Sequence, residues 1–237
     1  MKLFTFDTPT INPRSVLAFA FSAAVVLVLA LFAPAIGKTQ QLQRGVSVKM
    51  AFTSSGPWVP EADNEDAWIV TVTGNNDLYF GVDPVTPESL FEAMKIRLRN
   101  REQELYIKAD ARASFAAVRR VLEVARAERF ERAVLLTEQS SEAHAPTGLT
   151  MWISSTAMPA AVVVQIDPGQ GSPILKIDNE VIPLNALERK LKQLPQGQEQ
   201  REVVVLKAGQ VPFADVAHVV DVCNMSGAKP VLGMPEM

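Results

Sequence analysis

Hydrophobic and polar positions divide the chain into one long apolar run and a remainder with shorter patterns. Residues 16–36 form a stretch of 21 residues without a charged side chain. A helix of about 20 apolar residues crosses the ~30 Å hydrocarbon core of a bilayer. The run therefore predicts a transmembrane helix at residues 16–37, preceded by a short tail at residues 1–15.

Two other structures compete with a transmembrane helix as interpretations of this run. A cleaved signal peptide would explain the A-x-A pattern at Ala33-Pro34-Ala35, but the apolar region of a signal peptide usually spans only about 7–15 residues. A buried helix of a soluble protein is rarely apolar on every face. We therefore expect a retained anchor. Charge bias does not set its orientation. Because the residues before the run are too few to form a domain, we place the short N-terminal tail in the cytoplasm and residues 38–237 in the periplasm.

The remainder of the chain aligns with itself at an offset of 97 to 99 residues. The clearest match is a helical stripe, in which Phe115, Val118 and Leu122 correspond to Phe213, Val216 and Val220. Self-similarity of this kind indicates a duplicated unit. Apolar positions three and four apart also predict that one face of each helix is buried.

Each copy predicts the same series of elements: an alternating strand, a short strand after a turn, a helix near a proline, a third strand, a second helix and a last strand. The predicted fold is α+β, with an N-terminal transmembrane helix and two repeats, each a mixed sheet with two helices on one face. The domain boundaries are residues 46–138 for the first repeat, 139–150 for a polar linker and 151–237 for the second repeat. We also expect the repeats to pack on each other, because a short linker keeps them close.

Composition and motifs exclude several classes of function. The net charge is −3 and no Lys/Arg stripe suggests nucleic acid binding. The chain has one cysteine, Cys223, whose place in the helical stripe indicates a small core residue. We find no phosphate loop, zinc motif or nucleophile elbow. We therefore predict no catalytic, cofactor-binding or metal-binding residue, no cofactor, and a protein that is not an enzyme.

Some polar and aromatic residues still need an interpretation. His144 in the linker and His218, which corresponds to Arg120, are expected on the surface. Asp110 follows the third strand and is interpreted as a turn residue before the helix. The acidic residues of 61–66 predict a solvated loop rather than a binding lip. Trp58 and Trp152 could either lie at the edges of loops or contact a partner protein, and the sequence does not decide between these two interpretations.

The segment LYIKADARASFAAVRRVLEVARAERFERAVLLTE at residues 105–138, together with the order of elements, resembles the ExbD/TolR family. The resemblance implies a short cytoplasmic tail, one transmembrane helix and a periplasmic domain in the bacterial inner membrane. It also implies a polytopic partner similar to ExbB or TolQ. Such complexes use the proton motive force to energise outer-membrane transport or envelope maintenance.

The chain departs from this family at one position that matters for mechanism. Family members carry an aspartate early in the transmembrane helix; aligned on Ala33-Pro34, it falls near Ala20, and residues 15–37 contain no Asp or Glu. A carboxylate inside a membrane is energetically costly and is retained only where function needs it. Without one, this helix cannot itself relay protons. We therefore predict an accessory subunit of a transport complex, with a carboxylate-bearing ExbD-like chain and an envelope or outer-membrane component as possible further partners. The alternative is a periplasmic scaffold or an adaptor to peptidoglycan or a secretion complex, without proton coupling.

Overall fold

The computed structural model describes residues 45–96, 104–139, 146–153, 162–193 and 210–233, and the backbone of residues 202–206. The predicted tail and transmembrane helix lie outside these residues. Within the described ranges, no helix combines the length and the apolar character needed to cross a bilayer. Residues 42–237 group into one compact unit, which contains both predicted repeats.

The first half alternates strands and helices as its apolar periodicities predict. Asn76 adopts a positive φ of 70° in the turn between the first two strands, and Pro87 opens the first helix. Ser114 caps the second helix, since its side chain accepts a hydrogen bond from Ala117 N at 3.4 Å. The elements are β1 (Trp68–Val72), β2 (Leu78–Phe80), β3 (Asp83–Val85), α1 (Pro87–Ile96), β4 (Leu105–Ala109), α2 (Phe115–Ala127) and β5 (Arg132–Thr137).

One more strand, β6 (Thr147–Trp152), precedes the second half. The second half then repeats the order of strands and helices found in the first. Its elements are β7 (Val162–Asp167), β8 (Ile174–Ile177), β9 (Glu180–Ile182), α3 (Leu184–Gln193), β10 (Glu202–Leu206), α4 (Phe213–Met225) and β11 (Lys229–Leu232).

The eleven strands of the described residues belong to one mixed sheet, in the order β3-β2-β1-β4-β5-β6-β11-β10-β7-β8-β9. Strands β1, β4 and β5 run parallel, and so do β7, β10 and β11. β6 pairs antiparallel with β5 along its whole length and meets β11 in parallel at Val231 and Trp152. The prediction of an α+β chain with a mixed sheet is confirmed. Residues 147–150, which the sequence assigned to the linker, lie in β6.

The main core lies on the face of the sheet that the helices cover. The predicted stripes are buried there: Phe115, Val118 and Leu122 in α2, and the corresponding positions in α4, are at most 1% exposed. In the first half, a smaller cluster lies on the other face of the sheet, where residues 48–67 cover it. This cluster contains Met50, Ala62, Ile69, Tyr106, Val134 and Leu136.

The two halves also meet where their second helices begin. Phe115 N donates to the carbonyl of Val211 at 2.9 Å, and Phe213 N donates to the carbonyl of Ala113 at 2.7 Å. Each donor corresponds to the other at an offset of 98 residues, and so does each acceptor. The expectation that the halves pack on each other is confirmed, and they do so through equivalent positions.

Candidate functional site

Residues 51–59, here called the strap, cross the carboxyl end of β5 in the first half. Thr53 N donates to the carbonyl of Glu138, just after β5, and Glu138 N donates to that of Ala51, both at 2.9 Å. Just before the strap, Lys49 N donates to the carboxylate of Asp110, just after β4. Open sheets of parallel strands bind ligands at this edge. Here the strap occupies it.

Helix α4 of the second half lies against the same strap. The Asp221 side chain, in the middle of α4, accepts hydrogen bonds from Ser54 N at 2.7 Å, from Ser55 N at 3.0 Å and from the Ser55 hydroxyl. The residue is 5% exposed. A carboxylate at such a site needs hydrogen-bond donors to offset its lost hydration, and three donors of the strap supply them.

His218, one turn earlier in α4, makes a second contact with the strap. Its Nε2 lies 2.9 Å from the carbonyl oxygen of Phe52. Because a carbonyl can only accept, Nε2 carries the proton and donates. The sequence predicted His218 on the surface; the structure leaves it half-buried and bonded to the first half. His144, the other predicted surface histidine, lies outside the described residues.

A chain of buried hydroxyls fixes the strap to β5 and β6. Thr147 Oγ1 donates to the carbonyl of Thr137 at 2.9 Å, so its own oxygen is free to accept from Thr137 Oγ1 at 3.2 Å. Thr137 in turn accepts from Thr53 Oγ1 at 2.8 Å. Since each hydroxyl has one proton, these three bonds run in one direction. Sequence reasoning missed this cluster, because threonines in strands give no periodic signal of their contacts.

Asp110 lies at the turn between β4 and α2, as the sequence predicted. Its carboxylate accepts bonds from Arg112 N at 3.0 Å, from Arg112 Nε at 2.9 Å and from Lys49 N. These bonds, the one from the Arg112 side chain above all, lower the pKa of Asp110 to about 2. The carboxylate is therefore ionised at neutral pH, and its bonds hold the turn.

Lys108 points to the other face of the sheet and is only 2% exposed. Burial lowers the pKa of its ammonium, and the charges of Asp63 and Glu138 oppose that shift. Burial likewise raises the pKa of Asp63, and Lys108 opposes it. Within the acidic segment 61–66, Asp63 is half-buried, whereas the other acids are exposed as predicted for a solvated loop. The segment thus supplies one counter-charge for a buried lysine.

A separate open cleft of about 320 Å³ lies between the β2–β3 hairpin, the start of α1 and α2. Asp77, Tyr79 and Thr86 line one side of it, and Arg120 lines the other. Arg120 is exposed, as the sequence predicted for this face of α2. The cleft combines both signs of charge with apolar walls.

The two tryptophans left open by the sequence have different surroundings. Trp58, in the strap, is 65% exposed. Trp152 in β6 is half-buried, and the Lys229 ammonium lies 3.8 Å from its ring centroid. Cys223 is fully buried in the main core, and burial raises the pKa of its thiol to about 12. Within the described ranges, no three His, Cys, Asp or Glu side chains gather as metal ligands would.

Comparison with known families settles the relationship that the segment at residues 105–138 suggested. The family model described as biopolymer transport protein ExbD/TolR matches residues 18–140, more than half of the chain. The chain belongs to the ExbD/TolR family. ExbD/TolR proteins are subunits of biopolymer transport systems and generally work with membrane proteins similar to ExbB and TolQ.

The ExbD/TolR match covers most of the apolar run, the strap and the first half as far as the end of β5. It stops before α4, so Asp221 and His218 lie beyond it. No curated protein and no solved structure matches the chain.

Proposed function

We propose that this chain is an accessory subunit of an envelope transport complex that is linked to the proton motive force. It would be held in the bacterial inner membrane by residues 16–37, with residues 1–15 in the cytoplasm and residues 38–237 in the periplasm. The observation that carries the proposal is the ExbD/TolR match, which begins at residue 18, inside the apolar run. A run of this length without charge suits a transmembrane helix.

The accessory role follows from the composition of the apolar run. A proton relay through the membrane needs a titratable side chain there. Residues 15–37 contain no Asp or Glu, and Ala20 stands near the position where the family carries its aspartate. A second, carboxylate-bearing ExbD-like chain would therefore have to carry the proton, next to a polytopic partner similar to ExbB or TolQ.

A duplication of the periplasmic unit is part of the same proposal. Three features support it: the repeated order of elements, the matching strand orders β3-β2-β1-β4-β5 and β9-β8-β7-β10-β11, and the reciprocal bonds of Phe115 and Phe213. One chain would then present two family-like units side by side.

Purification of the tagged full-length chain in mild detergent tests the assembly. We expect a polytopic membrane protein and a carboxylate-bearing chain to copurify with it. Leu27→Arg should abolish the copurification of both proteins, because an arginine at the centre of a transmembrane helix costs about 2.5–3.5 kcal/mol on insertion. Ser22→Ala is the matched control. A chain that is found in membranes but always purifies alone would favour the periplasmic scaffold. A mature N-terminus near Ile36 would refute the anchor.

A further inference from the structure

The strap is attached to the first half at one end, to the start of β6 at the other end, and to the second half in its middle. At one end it bonds to Glu138, and at the other Val59 N donates to the carbonyl of Pro146 at 2.9 Å while Gly148 N donates to that of Pro57 at 3.0 Å. Between these ends, Ser54 and Ser55 bond to Asp221 of α4. The strap therefore links α4 to the first half through hydrogen bonds.

The contact between the strap and α4 is polar. The hydrogen bonds to Asp221 and His218 are formed by backbone groups and one hydroxyl of the strap. The large apolar side chains of the strap stay outside: Phe52 is 49% exposed and Trp58 is 65% exposed. Apolar burial is the main force that holds packed elements together. Between Phe52 and Trp58 it contributes little, so hydrogen bonds decide whether the middle of the strap stays in place: those to α4, and the one that Gln139 Nε2 donates to the carbonyl of Gly56 at 2.6 Å.

The residues on either side of the strap cover one face of the first half's sheet. Met50 precedes the middle of the strap and Ala62 follows it, and both pack in the cluster with Tyr106 and Leu136. Burial of this cluster raises the pKa of Tyr106 to about 12. If the strap and its flanks lifted from the sheet, this apolar face and Lys108 would meet solvent or another protein.

We propose that the strap is a releasable latch, with Asp221 as its catch and His218 as a second point of attachment. Release would free residues 52–55 from α4, and residues 48–62 would then be able to lift from the covered sheet face of the first half. The inference rests on the proposed function in one respect: the chain that leads into the strap would come from a membrane anchor, so movement of the anchor would pull on the latch. Local opening of this kind uses the least stable segments of a fold.

Hydrogen exchange of the full-length protein in detergent, measured by mass spectrometry, tests the latch. Asp221→Asn keeps the size of the side chain but places an NH₂ group among the strap's donors. We expect exchange in residues 48–62 to rise about tenfold or more, whereas α2 and the core strands keep their rates. Ser55→Ala, which removes one donor, should produce a smaller rise in the same segment.

Glu123→Gln is the matched control, because Glu123 is the corresponding position in α2 and pairs with Arg119 there rather than with the strap. It should leave the exchange of residues 48–62 unchanged. Unchanged exchange in Asp221→Asn would overturn the proposal, and so would a uniform rise over both halves, which would show a general loss of stability. The readout needs no partner, so failure of copurification would leave this result intact.

Discussion

Phe115 and Phe213 offer the sharpest test of how the two halves depend on each other. Each is the first residue of its helix, each is at most 1% exposed, and each donates its backbone N–H across the junction. Truncation of a fully buried phenylalanine to alanine costs about 3–5 kcal/mol. For a unit of this size, each kcal/mol lowers the melting temperature by about 2–4 °C. Phe115→Ala and Phe213→Ala should therefore each lower it by roughly 6–20 °C.

The assay follows both halves during one unfolding experiment. Circular dichroism reports on the whole fold, and labelling of the Cys223 thiol reports on the second half, where that thiol is fully buried. If the halves unfold together, Phe115→Ala exposes Cys223 at the same lowered urea concentration at which the fold is lost. Arg120→Ala, on the exposed side of α2, should leave both transitions in place.

The outcome that would refute this reasoning is separate melting. In that case Phe115→Ala would destabilise the first half while Cys223 stayed protected to the wild-type midpoint. The double variant adds a second criterion. Because both residues bond across the same junction, their effects should deviate from additivity by about 0.5–3 kcal/mol.

Three other variants test single features of the fold. Gly148→Ala should destabilise by about 1–3 kcal/mol in urea unfolding, because a Cβ there would lie well inside van der Waals distance of Val134 Cγ1; a smaller loss would mean that β6 can shift. Asp110 has its pKa lowered from 3.8 to about 2, so the stability it contributes is present above pH 4 and is lost as the pH falls towards 2. Asp110→Asn should flatten the acid limb of a stability–pH profile, and an unchanged limb would contradict this. Tyr106, with a pKa of about 12, should ionise late in an ultraviolet titration, and Tyr106→Phe should remove that late step.

The sequence predicts those parts of the fold that depend on local periodicity. The stripes of α2 and α4 are buried as their spacing indicates, and Pro87 and Ser114 mark the starts of helices through local backbone chemistry. The turn at Asp110 follows for the same reason. In these cases the preference of a few neighbouring residues and the burial of one face agree.

The contacts of the strap could not be predicted in the same way. Ser54 and Asp221 are 167 residues apart, and neither belongs to a periodic pattern that points to the other. Residues 147–150 of β6 fall in the predicted linker because the segment 139–150 is rich in polar and small residues. The pairing of β6 with β5 decides its structure, and Gly148 suits the close approach to Val134 that this pairing requires. The structure of such a segment depends on the strands next to it in the sheet, so its own sequence does not predict it.

Strand β6 also changes what the chain can pair with. Standing alone, each half would leave its last strand, β5 or β11, as a free edge with unpaired backbone groups, which invites another strand. β6 bonds to both, so in the described part of the chain the free edges of the sheet are β3 and β9. β3 contains Pro84, which has no N–H to donate. A second chain that extended this sheet would therefore find its more receptive edge at β9, on the side of the molecule farthest from the strap in strand order.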